Sequence, residues 1–137
     1  MKNNQLMIYG AYGYAGELMV REAVAQGLRP IIAGRDDEKL KPIATELSLE
    51  CRAFGVRNTG SNLQDISVLL NCAGPFSATA EPLARACLAQ QIHYLDITGE
   101  IDIFRKCHAL DEEARQQNVL ILPGAGTDIV PTDCLAA

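Results

Sequence analysis

Apolar positions along this chain fall into two alternating periods. Short runs of strand length, Leu6-Met7-Ile8-Tyr9 and Pro30-Ile31-Ile32-Ala33 among them, are separated by longer stretches. In those stretches apolar residues return every three or four positions, the spacing of one face of a helix. The pattern predicts strands over 5–9, 30–33, 50–56, 67–72, 92–97 and 119–122. It predicts helices over 15–26, 37–49, 77–90 and 102–117. The strand at 67–72 is almost continuously apolar, as a strand covered on both faces should be. The helix over 102–117 has the clearest stripe: Ile103, Phe104, Cys107, Leu110 and Ala114 on one face, with Glu112, Glu113, Arg115 and Gln116 off it. Residues 58–66 read as a loop with a short helix at most, and 131–137 as the first turn of another helix.

Punctuation supports these boundaries. Gly27 follows the first helix as a C-terminal glycine does, and Gly34 stops the second strand. Pro82 is tolerated in the first turn of its helix. Pro42 would disturb a helix interior, so the second helix is expected to begin near Lys41. Six strands with a crossover between each imply a parallel sheet with right-handed connections, the doubly wound α/β class.

The turn after the first strand narrows the class. Gly10-Ala11-Tyr12-Gly13-Tyr14-Ala15-Gly16 lies between a strand and a helix. There glycine lets a phosphate approach the backbone, and the helix opening next points free N–H groups and a positive dipole end at the anion. A Rossmann sheet of order 3-2-1-4-5-6 is expected. Gly10, Gly13 and Gly16 fix the backbone, and the N–H groups near Tyr14 and Ala15 face phosphate. Tyr12 and Tyr14 either line the pocket mouth or are simply exposed tyrosines. The competing reading of the whole turn is a glycine-rich βα turn that has lost its ligand.

The end of the second strand selects among nicotinamide cofactors. An acid there bonds the ribose 2′-hydroxyl of NAD, whereas NADP needs a cation for its 2′-phosphate. Ala33-Gly34-Arg35-Asp36 offers Arg35 first, a fork that matches phosphate. Asp36 is then either a ribose ligand or the cap of the next helix. NADP is the expected cofactor and NAD the alternative. Lys39 is a second cation nearby or a solvated helix lysine. After the fourth strand, Asn71-Cys72-Ala73-Gly74-Pro75-Phe76 supplies small residues past which a ribose could lie. After the fifth, Asp96-Ile97-Thr98-Gly99-Glu100 brings polar groups toward the nicotinamide end, each also a ready helix cap. His93 is expected to be structural and His108 exposed. No nucleophile–base pair, no metal-ligand cluster and no Tyr-x-x-x-Lys pair appears (Tyr94 is followed four places on by Thr98), so no catalytic residue is assigned.

Composition sets limits. The 137 residues, 48% apolar with 5% aromatic and no Trp, suit one domain with an aliphatic α/β core. A net charge of −5 argues against nucleic acid held by a broad basic surface. Five cysteines without Cys-x-x-Cys spacing suggest neither a disulfide framework nor zinc, and Cys72, Cys87 and Cys107 read as small buried hydrophobes. The polar start and the lack of a long apolar run suggest neither signal peptide nor membrane span, so the cytoplasm is the expected location.

The chain resembles the NADP-binding domain of the saccharopine dehydrogenase-like family, including its bacterial trans-acting enoyl reductase branch. The matching pieces are Gly10 to Gly16, Ala33 to Arg35, Leu70 to Phe76, His93 to Glu100, and Pro123 to Gly126 with Asp128 and Val130 to Asp133. The resemblance implies an NAD(P)-dependent oxidoreductase, with the glycines, Arg35 and the Asn71–Pro75 loop as cofactor contacts. With the residues read above, the candidates are Gly10, Tyr12, Gly13, Tyr14, Ala15, Gly16, Arg35, Asn71, Cys72, Ala73, Gly74, Pro75, Thr98 and Gly99. Tyr12 and Ala15 stand where such proteins often carry Thr, and Thr127 where an aromatic residue is common. Family members continue into a second domain that holds the substrate. Residues 1–137 are therefore expected to be the N-terminal Rossmann part of a two-domain enzyme, able to bind cofactor but not to turn over substrate alone. The alternative is a stand-alone dinucleotide-binding or redox-sensing module. Apolar surface left uncovered near the sixth strand would favour a homo-oligomer.

Overall fold

The computed structural model describes residues 4–126 and 129–137. Thr127 and Asp128, named above for the family resemblance, lie outside the described residues. Among the described residues six strands form one sheet: Leu6–Tyr9 (β1), Ile31–Gly34 (β2), Cys51–Ala53 (β3), Val68–Asn71 (β4), His93–Asp96 (β5) and Ile121–Leu122 (β6). Every neighbouring pair is parallel and the order is β3-β2-β1-β4-β5-β6, the order expected from the sequence. The register matters for function. Tyr9 pairs with Ala33 on one side and Asn71 on the other, and Asn71 pairs with Asp96. These residues therefore form one row across the carboxyl ends of four strands. In-register parallel pairing turns their side chains to the same face.

Helices cover both faces. Tyr14–Ala25 (α1) and Asp37–Leu47 (α2) bury Val20, Ala23, Leu40, Ile43 and Ala44 against Ile8 and Ile32. Phe76–Ala89 (α3), Ile101–His108 (α4) and Asp111–Gln116 (α5) close the other face over Met7, Leu69 and Tyr94. Successive strand residues feed alternate cores, which is why the strands are apolar without alternation. A last helix, Val130–Ala136 (α6), is mostly exposed.

Two helix boundaries differ from expectation. α2 begins at Asp37, not near Lys41, and carries Pro42 in its interior. Asp36 fixes the start: its Oδ1 accepts from the N–H groups of Glu38 and Lys39 at 3.1 and 3.4 Å. Pro42 is exposed, so its ring meets solvent and the helix tolerates the lost hydrogen bond. The stretch 102–117 is two helices. Leu110 sits at φ −93°, ψ 0°, and its N–H donates to Cys107 rather than one residue further back. That tightened turn breaks the rod, yet Ile103, Cys107, Leu110 and Ala114 stay buried. An unbroken apolar stripe therefore concealed a broken helix. β3 and β6 are also shorter than predicted, and 60–63 forms a 3-10 turn within the expected loop.

Candidate functional site

The β1–α1 turn is fixed by backbone alone. Gly10 lies at φ +82°, and the N–H groups of Gly10 and Ala11 both donate to the carbonyl of Ala33, at 2.8 and 3.1 Å. The first helical bond of α1 runs from the Glu17 N–H to the Gly13 carbonyl. The N-cap is Gly13, which has no side chain to cap with, and the N–H groups of Tyr14, Ala15 and Gly16 have no acceptor among the described residues. Open N–H groups at a helix start, approached over glycine, are an anion site. Gly16 is buried under this turn. A Cβ there would run into the Gly10 carbonyl, 2.8 Å from its carbon.

A crevice opens beside the turn at the carboxyl ends of the strands. The first turn lines it with Tyr9, Gly10, Tyr12 and Gly13. The end of β2 contributes Gly34 and Arg35, and the segment after β4 contributes Cys72, Ala73, Gly74 and Pro75. Val56, Ala78 and Thr79 complete it, and these three were not singled out from the sequence. Their signal was available: a segment that leaves β3, and the first turn of the helix after β4, must face the same crevice in a doubly wound sheet. Tyr12 and Tyr14 divide between the two alternatives. Tyr12 lines the crevice, whereas Tyr14 is 88% exposed and borders a separate depression with Ala15, Leu18 and Ile97. Thr98 is buried, its Oγ1 accepting from the Glu100 N–H at 3.1 Å, and Gly99 is exposed in the loop before α4.

Charge at the crevice mouth is asymmetric. Arg35 is exposed and has no hydrogen-bond or ion-pair partner among the described residues. Asp36 is committed to capping α2, and Lys39 Nζ stands 3.7 Å from its Oδ2. The Tyr12 ring packs over Gly34, where a Cβ would fall 2.5 Å from Cε1, and the Lys39 ammonium lies 5.6 Å from the ring centroid. The missing side chain at Gly34 thus leaves room for the Tyr12 ring at the end of β2. Beneath the crevice, Tyr9 donates its hydroxyl to the Phe54 carbonyl at 2.9 Å, and burial pushes the phenol up to about 12.

Asn71 does not reach the crevice. It is fully buried, as are Tyr94 and Asp96. Burial first, and the neighbouring Asp96 second, push the Cys72 thiol up to about 12. Burial likewise raises Cys87 to about 12 and Cys107 to about 11. Thiols alkylate as thiolates. Iodoacetamide at pH 8 is therefore expected to label exposed Cys134 in the native protein and to spare Cys72, Cys87 and Cys107, as peptide mass mapping would show. Rapid labelling of Cys72 would contradict its placement. His93 is structural, its Nδ1 accepting from the Leu120 N–H at 3.0 Å, and His108 is exposed. Among the described residues no group of side chains could hold a metal.

A parallel sheet in this order, with a glycine turn into a helix N-terminus and a crevice at the carboxyl ends of the strands, defines a dinucleotide-binding domain of the Rossmann class. Residues 6–122 match the family model of the saccharopine dehydrogenase NADP binding domain, and the chain belongs to that family. It is similar to the saccharopine dehydrogenase-like oxidoreductase of Rattus norvegicus, 27% identical over 94% of this chain and 35% of the relative. The chain thus spans about a third of the length of that relative. Among solved structures, apo saccharopine dehydrogenase (L-Glu forming) from Saccharomyces cerevisiae superposes with a TM-score of 0.77 at 12% identity, over 92% of this chain and 28% of that one. GenD2 from gentamicin A biosynthesis, in complex with NAD, superposes with a TM-score of 0.69 at 17% identity, over all of this chain and 40% of that one. At these identities the structures show the fold.

Proposed function

We propose that the chain binds NADP in the crevice between the β1–α1 turn and the Cys72–Pro75 segment, and that it orients the nicotinamide for hydride transfer in a saccharopine dehydrogenase-like oxidoreductase. The pyrophosphate rests on the open N–H groups of Tyr14, Ala15 and Gly16. The adenosine ribose lies toward the end of β2, where Arg35 meets the 2′-phosphate. Small residues at 72–74 let the backbone approach the cofactor. The chain's part is to bind, orient and shield the dinucleotide.

The preference for NADP rests on one observation: Arg35 is a cation at the crevice mouth without a partner among the described residues, while Asp36 spends its carboxylate on the α2 cap. A free ribose-binding acid would favour NAD. Thermal unfolding with each cofactor tests this, because a ligand bound only to the folded state raises the melting point by mass action. NADPH is expected to stabilise more than NADH. Arg35→Ala should weaken NADPH about 10- to 100-fold, the worth of a charge-assisted phosphate contact, and leave NADH nearly unchanged. A larger shift with NADH would assign the ribose to Asp36. No shift with either would remove the cofactor reading.

A further inference from the structure

Behind the crevice lies a chain of polar groups, buried except for Thr79 where it reaches the crevice wall, that the cofactor reading does not use. Asn71 donates from Nδ2 to two hydroxyls, Thr79 and Tyr94, both at 3.1 Å. Each hydroxyl passes its own proton onward. Thr79 donates to the Ala73 carbonyl at 2.6 Å, and Tyr94 donates to Asp96 Oδ2 at 2.8 Å. Asn71 Oδ1 accepts from the Ala73 N–H at 3.0 Å. The polarity is fixed throughout. If the Asn71 amide were flipped, its NH2 would face the Ala73 N–H, so only one orientation satisfies every member.

Ala73 is the point of delivery. Side chains hold both its N–H and its carbonyl, so its peptide groups are clamped from behind. In front it presses on the glycine turn: a Cβ on Gly10 would fall 2.7 Å from the Ala73 nitrogen. The clamp therefore sets how far the Cys72–Pro75 wall stands from the β1–α1 turn. On the cofactor reading above, on which this inference rests, that distance is the width of the slot for the dinucleotide.

We infer that Tyr94 is a positioning residue for the cofactor slot, acting through Asn71 and Thr79 to hold the backbone of Ala73 against the glycine turn. Tyr94 is fully buried and does not line the crevice, so any effect on the ligand travels through the clamp. Its partner Asp96 anchors the far end, accepting from the N–H groups of Thr98 and Gly124 at 3.0 and 2.9 Å.

The test is NADPH titration of the folded protein, followed by intrinsic fluorescence or calorimetry, alongside thermal unfolding. Tyr94→Phe removes one hydroxyl and should raise the NADPH dissociation constant about 5-fold, the value of one buried hydrogen bond in the clamp. Thr79→Val should do the same and Thr79→Ser should restore near-native affinity, since serine keeps the hydroxyl. Ile92→Val, a core change just before the start of β5, is the control. It should lower the melting point but leave the dissociation constant within 2-fold. Unchanged affinity in Tyr94→Phe, with a lowered melting point, would make the network merely structural and overturn the inference, whatever Thr79→Val does, since Thr79 also lines the crevice. If Tyr94→Phe does not fold, Asp96→Asn decides, because it takes the acceptor from the Tyr94 hydroxyl and also lies off the crevice: a raised dissociation constant supports the clamp and an unchanged one overturns it. Failure of the native protein to bind either nicotinamide cofactor would instead strike the cofactor reading itself.

Discussion

Gly16→Ala should destabilise the protein by about 3 kcal/mol, the upper range for forcing a side chain into packed backbone, and should abolish NADPH binding. The new Cβ would meet the carbonyl of Gly10 and come within 3.0 Å of the Ala11 Cα. Neither neighbour is the end of a flexible side chain. The whole start of α1 would have to withdraw from the turn, carrying the open N–H groups of Tyr14 and Ala15 with it. Two other glycines separate collision from backbone strain. Gly27, unlike Gly16, has positive φ, +84°, but open space around its Cα, so Gly27→Ala should cost only about 1 kcal/mol and leave cofactor affinity alone. Gly13 has ordinary φ and a Cβ position 3.3 Å from the Gly10 carbonyl oxygen, so its alanine variant should fall between the two. Urea unfolding and NADPH titration of the three variants would rank them. A Gly16→Ala protein with native midpoint and native affinity would show that α1 does not rest on the turn.

The glycine turn was legible because its chemistry is local. A strand, three glycines at fixed spacing and a helix leave few backbone paths, and the sheet order follows from the alternation that surrounds them. The place of Arg35 and of residues 72–75 at the crevice was legible for the same reason, since they directly follow strands whose carboxyl ends must share one crevice. What escaped was non-local or hidden by a stronger signal. Thr79 could be placed at the crevice by its position in the first turn of α3, but nothing local marks it as a partner of Asn71. Its role appears only when the sheet brings it beside Asn71. The break at Ala109–Leu110 was masked because Leu110 remains buried on either side of it. Pro42 misled in the other direction: proline was weighed as a barrier, and the Asp36 cap outweighed it. Asn71 and Thr98 were taken as candidate ligands because they end strands or follow them, whereas their side chains turn into the protein and hold its own backbone. Of their neighbours, Cys72 to Pro75 are the ones that line the crevice.

Asp96 is where the same polar residues bear on stability most strongly. Its two oxygens serve three buried donors: the N–H groups of Thr98 and Gly124, and the Tyr94 hydroxyl. Asp96→Ala would strand all three away from water. Each buried donor left without a partner costs about 1–3 kcal/mol, so the loss should reach at least about 3 kcal/mol, a large part of an ordinary domain's stability. Asp96→Asn is the more discriminating change. Its oxygen can still accept from both N–H groups, but its amide must point hydrogens at Tyr94. The phenol oxygen would then receive donors from both Asn71 and position 96, while its own proton has no acceptor. That single mismatch should cost about 2 kcal/mol. Adding Tyr94→Phe to Asp96→Asn removes the surplus proton along with the hydroxyl. The double variant should therefore lose less than the sum of the two single losses. Urea unfolding of the four proteins completes the cycle, and it reads coupling between contacting residues directly. Strict additivity would mean that the Tyr94–Asp96 bond contributes nothing to the fold, and with it would go the far anchor of the slot.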